Sequence, residues 1–484
     1  MKAHVTDYVL YKWRYPIGYA CLALLIVGVL AIAGIYVPGG LRHGEMQSAL
    51  ASGALSAHSI DPKTIVDLPY HILQRLSFLT FGVTTLSIKL PSIVLGMLTM
   101  FGVFLLVKTW FRRNVAIIVT AIAATSTQFL FLAQDGTPSI MFGFVTVWLL
   151  VACTYMTRNH VFSTFWKVAA CALTATAIYI PLGIYLVIAL VVAASLHPHI
   201  RYMLRHIAKA RLAIAIVLGL VALIPLVEAI ILNHSVALML LGIPSSHIDL
   251  QSNVVTVGQD LFGFFLTSDS YLLRPLYSLG AIILMTVGAY KFLTVKYTAR
   301  SYTVFLLALF IIPLIIINPS HITDIYPLAI LVAAMGITTL ITNWYKLFPR
   351  NPYARIAGLI PILVFVVGMV FTGVSRFTDN YTYNANILAA YNNDLRLLDR
   401  IVAADSTNNT AISVVTTKEQ APFYALVAHY DKRFTVSTEY AKADVVIVTH
   451  DHYQATKPQA PVSDIITSRK ATDADRFYVY KYLE

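Results

Sequence analysis

Apolar and polar positions along this chain separate into long blocks. Apolar runs fall near 16–37, 87–107, 114–133, 138–157, 166–180, 182–197, 212–232, 273–292, 302–319, 326–343 and 356–374. A helix needs roughly 20 apolar residues to cross a bilayer, so the pattern predicts about eleven membrane-spanning helices. The fifth and sixth runs are short and meet at Tyr179-Ile180-Pro181, where a hinge is expected. The first run is too long for a signal-peptide core and lacks a convincing cleavage site, so it reads as an anchor.

The breaks between runs orient the spans. Lys12 and Arg14 precede the first, and Arg112 and Arg113 lie between the second and third. Arg201, Arg205 and Lys209 lie between the sixth and seventh, Lys291 and Arg300 between the eighth and ninth, and Lys346 and Arg355 after the tenth. All of these clusters fall on the side of the N-terminus, which the positive-inside rule makes cytoplasmic. An odd number of spans then sends the C-terminal region to the extracytoplasmic side.

Three segments face that outer side. Residues 38–86 form a long first loop, in which 45–57 and 69–81 are amphipathic and predicted to lie in the interface with apolar faces in lipid. The loop at 233–272 carries His234, His247, Asp249, Asp260 and Asp269, and the loop at 320–325 is short. After Arg376 the pattern changes. Helical periodicity over 392–402 gives way to β-rich runs at 411–417, 433–437, 443–449 and 476–482, with a helix expected over 421–429. The reading is a transmembrane domain at 1–375 followed by a small extracytoplasmic α/β domain at 376–484, long enough for its own core.

Composition agrees with the pattern and narrows the function. Hydrophobic residues make up 58% of the 484 and charged residues only 12%, with a mean hydropathy of +0.72; soluble domains carry about a quarter charged residues. The net charge of +12 does not point to nucleic acid, because the basic excess lies among the apolar runs: residues 1–375 hold 23 Lys and Arg against 10 Asp and Glu, and 376–484 hold 12 against 13. Cys21, Cys153 and Cys171 lie inside apolar runs, so neither disulfides nor a zinc site is suggested.

Several short phrases, taken in order, resemble the GT-C membrane glycosyltransferases of the family-39 group, which includes the protein O-mannosyltransferases and the lipid A aminoarabinose transferase. Gly44-Glu45-Met46-Gln47-Ser48-Ala49 is similar to the group's Asp-Glu-x-x-Tyr-Ala motif in the first outer loop, with Gly44 where the first acid would stand. Leu68-Pro69-Tyr70-His71, Phe81-Gly82 with Lys89-Leu90-Pro91-Ser92, Gln134-Asp135-Gly136-Thr137-Pro138 and Asp324-Ile325-Tyr326-Pro327 follow the group's later phrases, Thr137 replacing an Arg before Pro138. The resemblance spans about residues 10–375. It implies transfer of a sugar from a polyprenyl-phosphate donor, at the outer face of the cell membrane, to a glycan, lipid or protein acceptor, with no nucleotide cofactor.

Such transfer requires a base for the acceptor hydroxyl and positive charge or a divalent metal for the departing phosphate. Glu45 is the candidate base and Asp135 its candidate partner; two outer helix tips would place both carboxyls in one aqueous pocket. The structural alternatives are an acid in the first turn of an interfacial helix for Glu45, and an N-cap of the fourth span, with Pro138 in its first turn, for Asp135. Arg42, Lys89 and Arg274 are candidates for the phosphate, with Lys63 and Arg75 also on the outer side; snorkelling at span ends is the alternative. Glu228, an acid inside the seventh span, is a functional candidate by its position. His43 and His71 could join Glu45 at a metal, and Asp324 and Tyr326 belong to a family-like phrase. His450-Asp451-His452 reads as a solvated turn. A lipid-linked-sugar flippase and a non-catalytic scaffold with an outer sensor domain are the competing function classes; the absence of internal repeats argues against a transporter.

Overall fold

The computed structural model describes residues 9–36, 40–55, 64–157, 162–205, 209–244, 247–266, 271–295, 297–347, 352–391, 393–405, 411–440, 443–456, 461–468 and 475–482. Lys63 and Asp269 lie outside the described residues. The protein is a multi-pass bundle of apolar helices with a mixed five-stranded sheet at one end.

Among the described residues, seven helices are long and apolar enough to cross a membrane, or nine when two bent pairs each count as one span. Helices Ser163–Ile178 and Leu279–Thr294, 16 residues each, occupy the positions of the fifth and eighth expected spans. The fifth-to-sixth hinge falls where the sequence places it: Leu182 adopts a left-handed conformation (φ 62°), and helix Gly183–Leu196 starts immediately after it.

The third expected span is different. It breaks at Ser126 into Arg113–Thr125 and Thr127–Gln134, bent by 64°. No Pro or Gly marks the break; tertiary bonds hold it. The Tyr326 hydroxyl donates to Ala123 O at 2.7 Å, Ser126 Oγ to the same carbonyl at 2.8 Å, and Thr127 Oγ1 to Gly373 O at 3.1 Å. The bend carries the second half of the span back under the first loop, with Gln134 and Asp135 at its tip.

A second local device couples that loop to the bundle. Helix Thr85–Trp110 starts with a reciprocal cap, Thr84 N to Ser87 Oγ at 2.8 Å and Ser87 N to Thr84 Oγ1 at 3.1 Å. Pro91, inside the helix, has no N–H for Ser87 O. Ser77 of helix Leu68–Phe81 takes that carbonyl instead, at 2.8 Å.

In the C-terminal region, β1 (Ile412–Val415), β2 (Thr435–Ser437), β3 (Val445–Thr449), β4 (Asp464–Thr467) and β5 (Asp475–Lys481) form a sheet of order β2-β1-β3-β5-β4. The β1–β2 and β1–β3 pairs are parallel, and β5 pairs antiparallel with β3 and β4. β3 is buried along its whole length, as a strand covered on both faces must be. One of these faces packs against the first loop: Leu41, Met46, Phe78 and Ile88 share a cluster with Leu395, Phe423, Ile447 and Phe477. The last long helix runs from Pro352 to Tyr383, beyond the expected end of its span at 374. His450-Asp451-His452 is not a solvated turn but the start of helix His450–Thr456, with His452 buried.

Candidate active site

Two buried polar assemblies at the sheet end carry the candidate residues. The first is built on helix His43–Ala54, the tip of the bent third span and the start of helix Thr85–Trp110. Glu45 stands at the third position of its helix and accepts from the Arg42 backbone N–H at 2.8 Å and from Gly136 N at 2.8 Å. Lys89 Nζ lies 3.5 Å from the same carboxylate and donates to Gln134 Oε1 at 3.2 Å and Gly40 O at 3.4 Å. Arg42 Nη2 meets Asp135 Oδ1 at 2.5 Å, and the other Asp135 oxygen accepts from Thr137 Oγ1 at 2.7 Å. Two cations and two anions thus close on each other.

Close backbone approaches make this possible. A Cβ on Gly136 would sit 2.7 Å from Ile88 Cγ2 and 3.2 Å from Glu45 Oε1, and one on Gly40 would sit 2.4 Å from Tyr391 O. Leu41 N donates to Asn393 O at 2.6 Å, and Tyr424 to the Asn393 side chain at 2.9 Å, so the C-terminal region closes the assembly from above. The Tyr271 ring covers the Arg42 guanidinium, 4.0 Å away. Burial works against the Arg42 charge, but Asp135, Tyr391 and Glu45 outweigh it and hold the guanidinium above its ordinary range.

The sequence brought Glu45 and Asp135 to one place, and the structure does too, but the shared aqueous pocket is not there. Glu45 is 0% exposed and Asp135 1%. Burying an ion costs several kcal/mol unless each charge is met by a partner, and here both carboxylates have such partners on each oxygen. Asp135 does not cap the fourth span; it ends helix Thr127–Gln134. Lys89 does not snorkel: it is wholly buried. Each candidate phosphate ligand carries an acid, Arg274 being held by Asp260 at 2.6 Å.

Gln74 is the pin that sequence reasoning missed. Its amide donates to Ile88 O at 2.9 Å and Gly136 O at 3.0 Å, and its carbonyl accepts from Ser48 at 3.1 Å and Ser52 at 2.6 Å. All four of its hydrogen-bonding positions are thereby used. His71, one turn earlier, bonds Ser52 Oγ at 2.8 Å, and burial lowers its pKa to about 4. Helix Leu68–Phe81 therefore turns a polar stripe (His71, Gln74, Ser77) inward, while Ile72, Leu73, Leu76 and Leu79 stay exposed. That stripe was visible in the sequence as polar residues three apart.

The second assembly is a cleft of about 150 Å³ lined by Asp67, Ser139, Pro181, His321 and Asp324, among others. Asp324 accepts from or donates to His321 Nδ1 at 3.1 Å. Asp67 immediately precedes helix Leu68–Phe81 in a left-handed conformation (φ 57°) and makes no side-chain cap bond to it. Burial first, and the Asp324 charge second, raise the Asp67 carboxyl well above the carboxylate range. At the end of the 3-10 helix that carries His321 and Asp324 (Pro319–Ile325), Ile325 lines an apolar groove of about 290 Å³ with Phe262, Tyr277, Met285 and Val332.

The remaining candidates lie elsewhere or serve packing. His43 is exposed, and Glu228 is exposed on helix Ile224–Leu232. Tyr326 is buried, its ring stacked on Phe129 at 5.4 Å. Among the described residues, no group of three or more His, Cys, Asp or Glu side chains is arranged to hold a metal ion.

The sequence model of the dolichyl-phosphate-mannose-protein mannosyltransferase family matches residues 69–227. No curated protein matches. The crystal structure of apo ArnT from Cupriavidus metallidurans is similar at a TM-score of 0.52 and 14% identity, covering 96% of this chain and 98% of that one. ArnT from the same organism bound to undecaprenyl phosphate is similar at a TM-score of 0.52 and 12% identity, over 95% and 97% of the two chains. At these identities the likeness establishes the fold, and the mannosyltransferase family match falls inside it. The chain thus has an ArnT-like fold, within which residues 69–227 are similar to the mannosyltransferase family.

Proposed function

We propose that the protein transfers a sugar from a polyprenyl-phosphate donor to an acceptor, working at the sheet end of the bundle, on the extracytoplasmic side. The observation that carries this reading is the pairing of cavities about the Pro319–Ile325 helix. Ile325 of this helix lines an apolar groove, and His321 and Asp324 line an acid-bearing cleft. A lipid-linked sugar has the same two-part chemistry: an apolar chain for the groove and a hydroxyl-rich head for the cleft. ArnT, which shares the fold, has been crystallised with undecaprenyl phosphate, a lipid of that kind.

In this reading the Arg42–Glu45–Lys89–Asp135 assembly positions the first loop and the tip of the third span, and the Arg42 edge under Tyr271 supplies positive potential towards the departing phosphate. The Arg42 Nε is buried without a partner, so one charged donor is not committed to Asp135. The acceptor class, glycan, lipid or protein, is set by the surface formed by the sheet and the first loop.

The test uses purified protein in liposomes, a panel of radiolabelled polyprenyl-phosphate sugars and a membrane extract as acceptor source. Release of polyprenyl phosphate with label in the extract is expected. Movement of intact donor across the bilayer without release would establish a flippase instead. Donor left unchanged on both sides would point to the scaffold reading.

A further inference from the structure

We propose that Asp67 and Asp324, rather than Glu45 and Asp135, are the carboxylate pair that takes the proton from the acceptor hydroxyl. The inference rests on the glycosyl-transfer reading above. Its first support is access. Asp67 and Asp324 line a cleft, whereas Glu45 and Asp135 are enclosed by their own cations. The second is an unmet acceptor. Asp67 is 9% exposed, and its side chain accepts no bond from the helix it precedes and has no hydrogen-bond or ion-pair partner among the described residues. A buried carboxylate left without a donor is costly, so a ligand with hydroxyl or amine hydrogens is what the cleft lacks. The third is backbone conformation. A left-handed Asp at the mouth of a cleft is a sparsely populated geometry of the kind that collects at functional sites, and here Asp67 N is tied to Tyr179 O at 2.9 Å.

The charges facing the pair are few. His321 sits on the same 3-10 helix as Asp324, and the other walls, from 138–142 and 180–181, contribute no titratable group. Ser139 in the wall hydrogen-bonds with Thr137 Oγ1 at 2.8 Å, and Thr137 donates to Asp135. Thr137 has spent its proton on Asp135, so Ser139 is the donor to Thr137 and leaves its oxygen free to accept from a ligand in the cleft. A hydroxyl chain therefore links the cleft to the sealed assembly without opening it.

Two like charges lining one buried cleft favour protonation of one of them, and the carboxylate that remains is the base. In the transfer step the acceptor O–H bond breaks and its proton passes to that carboxylate. The acceptor oxygen bonds to the anomeric carbon. The bond from that carbon to the phosphate oxygen breaks, and its electron pair leaves on the polyprenyl phosphate.

Dicyclohexylcarbodiimide, an apolar reagent that adds to protonated buried carboxyls, gives a readout that does not depend on knowing the acceptor. Mass spectrometry of the treated protein should find adducts at Asp67 or Asp324, with transfer lost in proportion to adduct. Asp67→Asn and Asp324→Asn should each slow transfer by about 10²–10⁴-fold, the usual share of general-base catalysis, with donor binding unchanged. Adducts at Glu45 or Asp135 alone, or no adduct at any of the four, would overturn the assignment. So would transfer that persists at the unmodified rate in both Asn variants. If the unmodified protein transfers nothing from any donor, the glycosyl-transfer reading itself falls, and the proton-acceptor role with it.

Discussion

Glu45 and Asp135 lie behind two cations and a glycine amide, whereas Asp67 and Asp324 share a cleft with one imidazole. Both pairs are nine-tenths or more buried and both stand at the sheet end. What separates them is how each oxygen is satisfied. In the first pair the chain itself provides every donor, so the two carboxylates hold three distant segments in register and have no capacity left for a ligand. In the second His321 meets Asp324, but the Asp67 side chain has no donor among the described residues. Burial alone is therefore a poor guide to a working carboxylate, and the partner census is a good one.

Breaking the sealed side should give the largest effect on stability. Removing one member of a buried ion network leaves the other charge without its partner and typically costs about 3–5 kcal/mol. Lys89→Met is expected to lower stability by about that amount, because Glu45 would keep only its two backbone donors. Adding Glu45→Gln to Lys89→Met should restore a part. Unfolding in a single detergent, followed by tryptophan fluorescence, measures both. An additive double variant would show that the two side chains are not coupled.

Helix Leu68–Phe81 allows the two sides to be compared through pH, because its start belongs to the cleft and its next turn to the sealed network. The His71 pKa is lowered from 6.5 to about 4. A base whose folded pKa is depressed contributes stability above its unfolded pKa and loses it as pH falls through the folded one. Stability should thus drop by about 3 kcal/mol between pH 6.5 and 4, from the shift at 1.36 kcal/mol per unit, and His71→Asn should flatten that window. Asp67 runs the other way. Its carboxyl is raised, so the folded state holds its proton more tightly and the contribution is lost as pH rises from the ordinary carboxylate range towards the folded pKa. Asp67→Asn should therefore be the more stable protein at neutral pH, with the advantage shrinking in acid. Equal pH profiles for Asp67→Asn and the unmodified protein would remove the claim that burial and Asp324 act on Asp67.

How much of this was legible in the sequence follows from the range of each interaction. The apolar blocks locate the spans because each helix faces its surroundings along its own length, and the hinge at Tyr179-Ile180-Pro181 carries local signals. Strands β1, β2 and β3 fall within the β-rich runs, β5 starts one residue before its run, and helix Ala421–Tyr430 ends within one residue of its expected end. β4 escaped because it is a short edge strand, mostly exposed, with an acid at its first position. The bend at Ser126 escaped because tertiary bonds from Tyr326 and Thr127, rather than a local breaker, hold it. The site was half legible. The sequence phrases named Glu45, Lys89 and Asp135 but not the fact that they neutralise each other, since those contacts join residues far apart. Asp67 carried no signal of its own beside Pro69; only the fold sets it against Asp324. Gln74 did carry one, in the polar stripe of its helix, but the amphipathic pattern placed only the apolar face, in lipid, and the stripe turns inward.

The smallest expected effect on stability concerns the position where the family-like motif lacks its first acid. A Cβ on Gly44 would meet only Thr137 Cγ2, at 3.8 Å, an ordinary contact, and Gly44 is exposed. Gly44→Asp should therefore fold. It would also place a carboxylate in the first turn of helix His43–Ala54, where the helix dipole favours a negative charge by about 0.3–1 kcal/mol. Replacing a helical glycine adds a few tenths more by restricting the unfolded chain. A gain in unfolding midpoint equivalent to about 1 kcal/mol is the expected outcome, and a loss would mean that the helix start is more crowded than its contacts indicate. The same variant bears on chemistry. An acid at 44 would stand beside Thr137, on the hydroxyl chain from Asp135 to Ser139, yet it would not line the Asp67–Asp324 cleft. If that cleft supplies the base, transfer by Gly44→Asp should stay within about threefold of the unmodified rate, a difference of under 1 kcal/mol in the barrier. A rise of about a hundredfold would shift the proton acceptor to the first loop and leave the cleft as a binding pocket only.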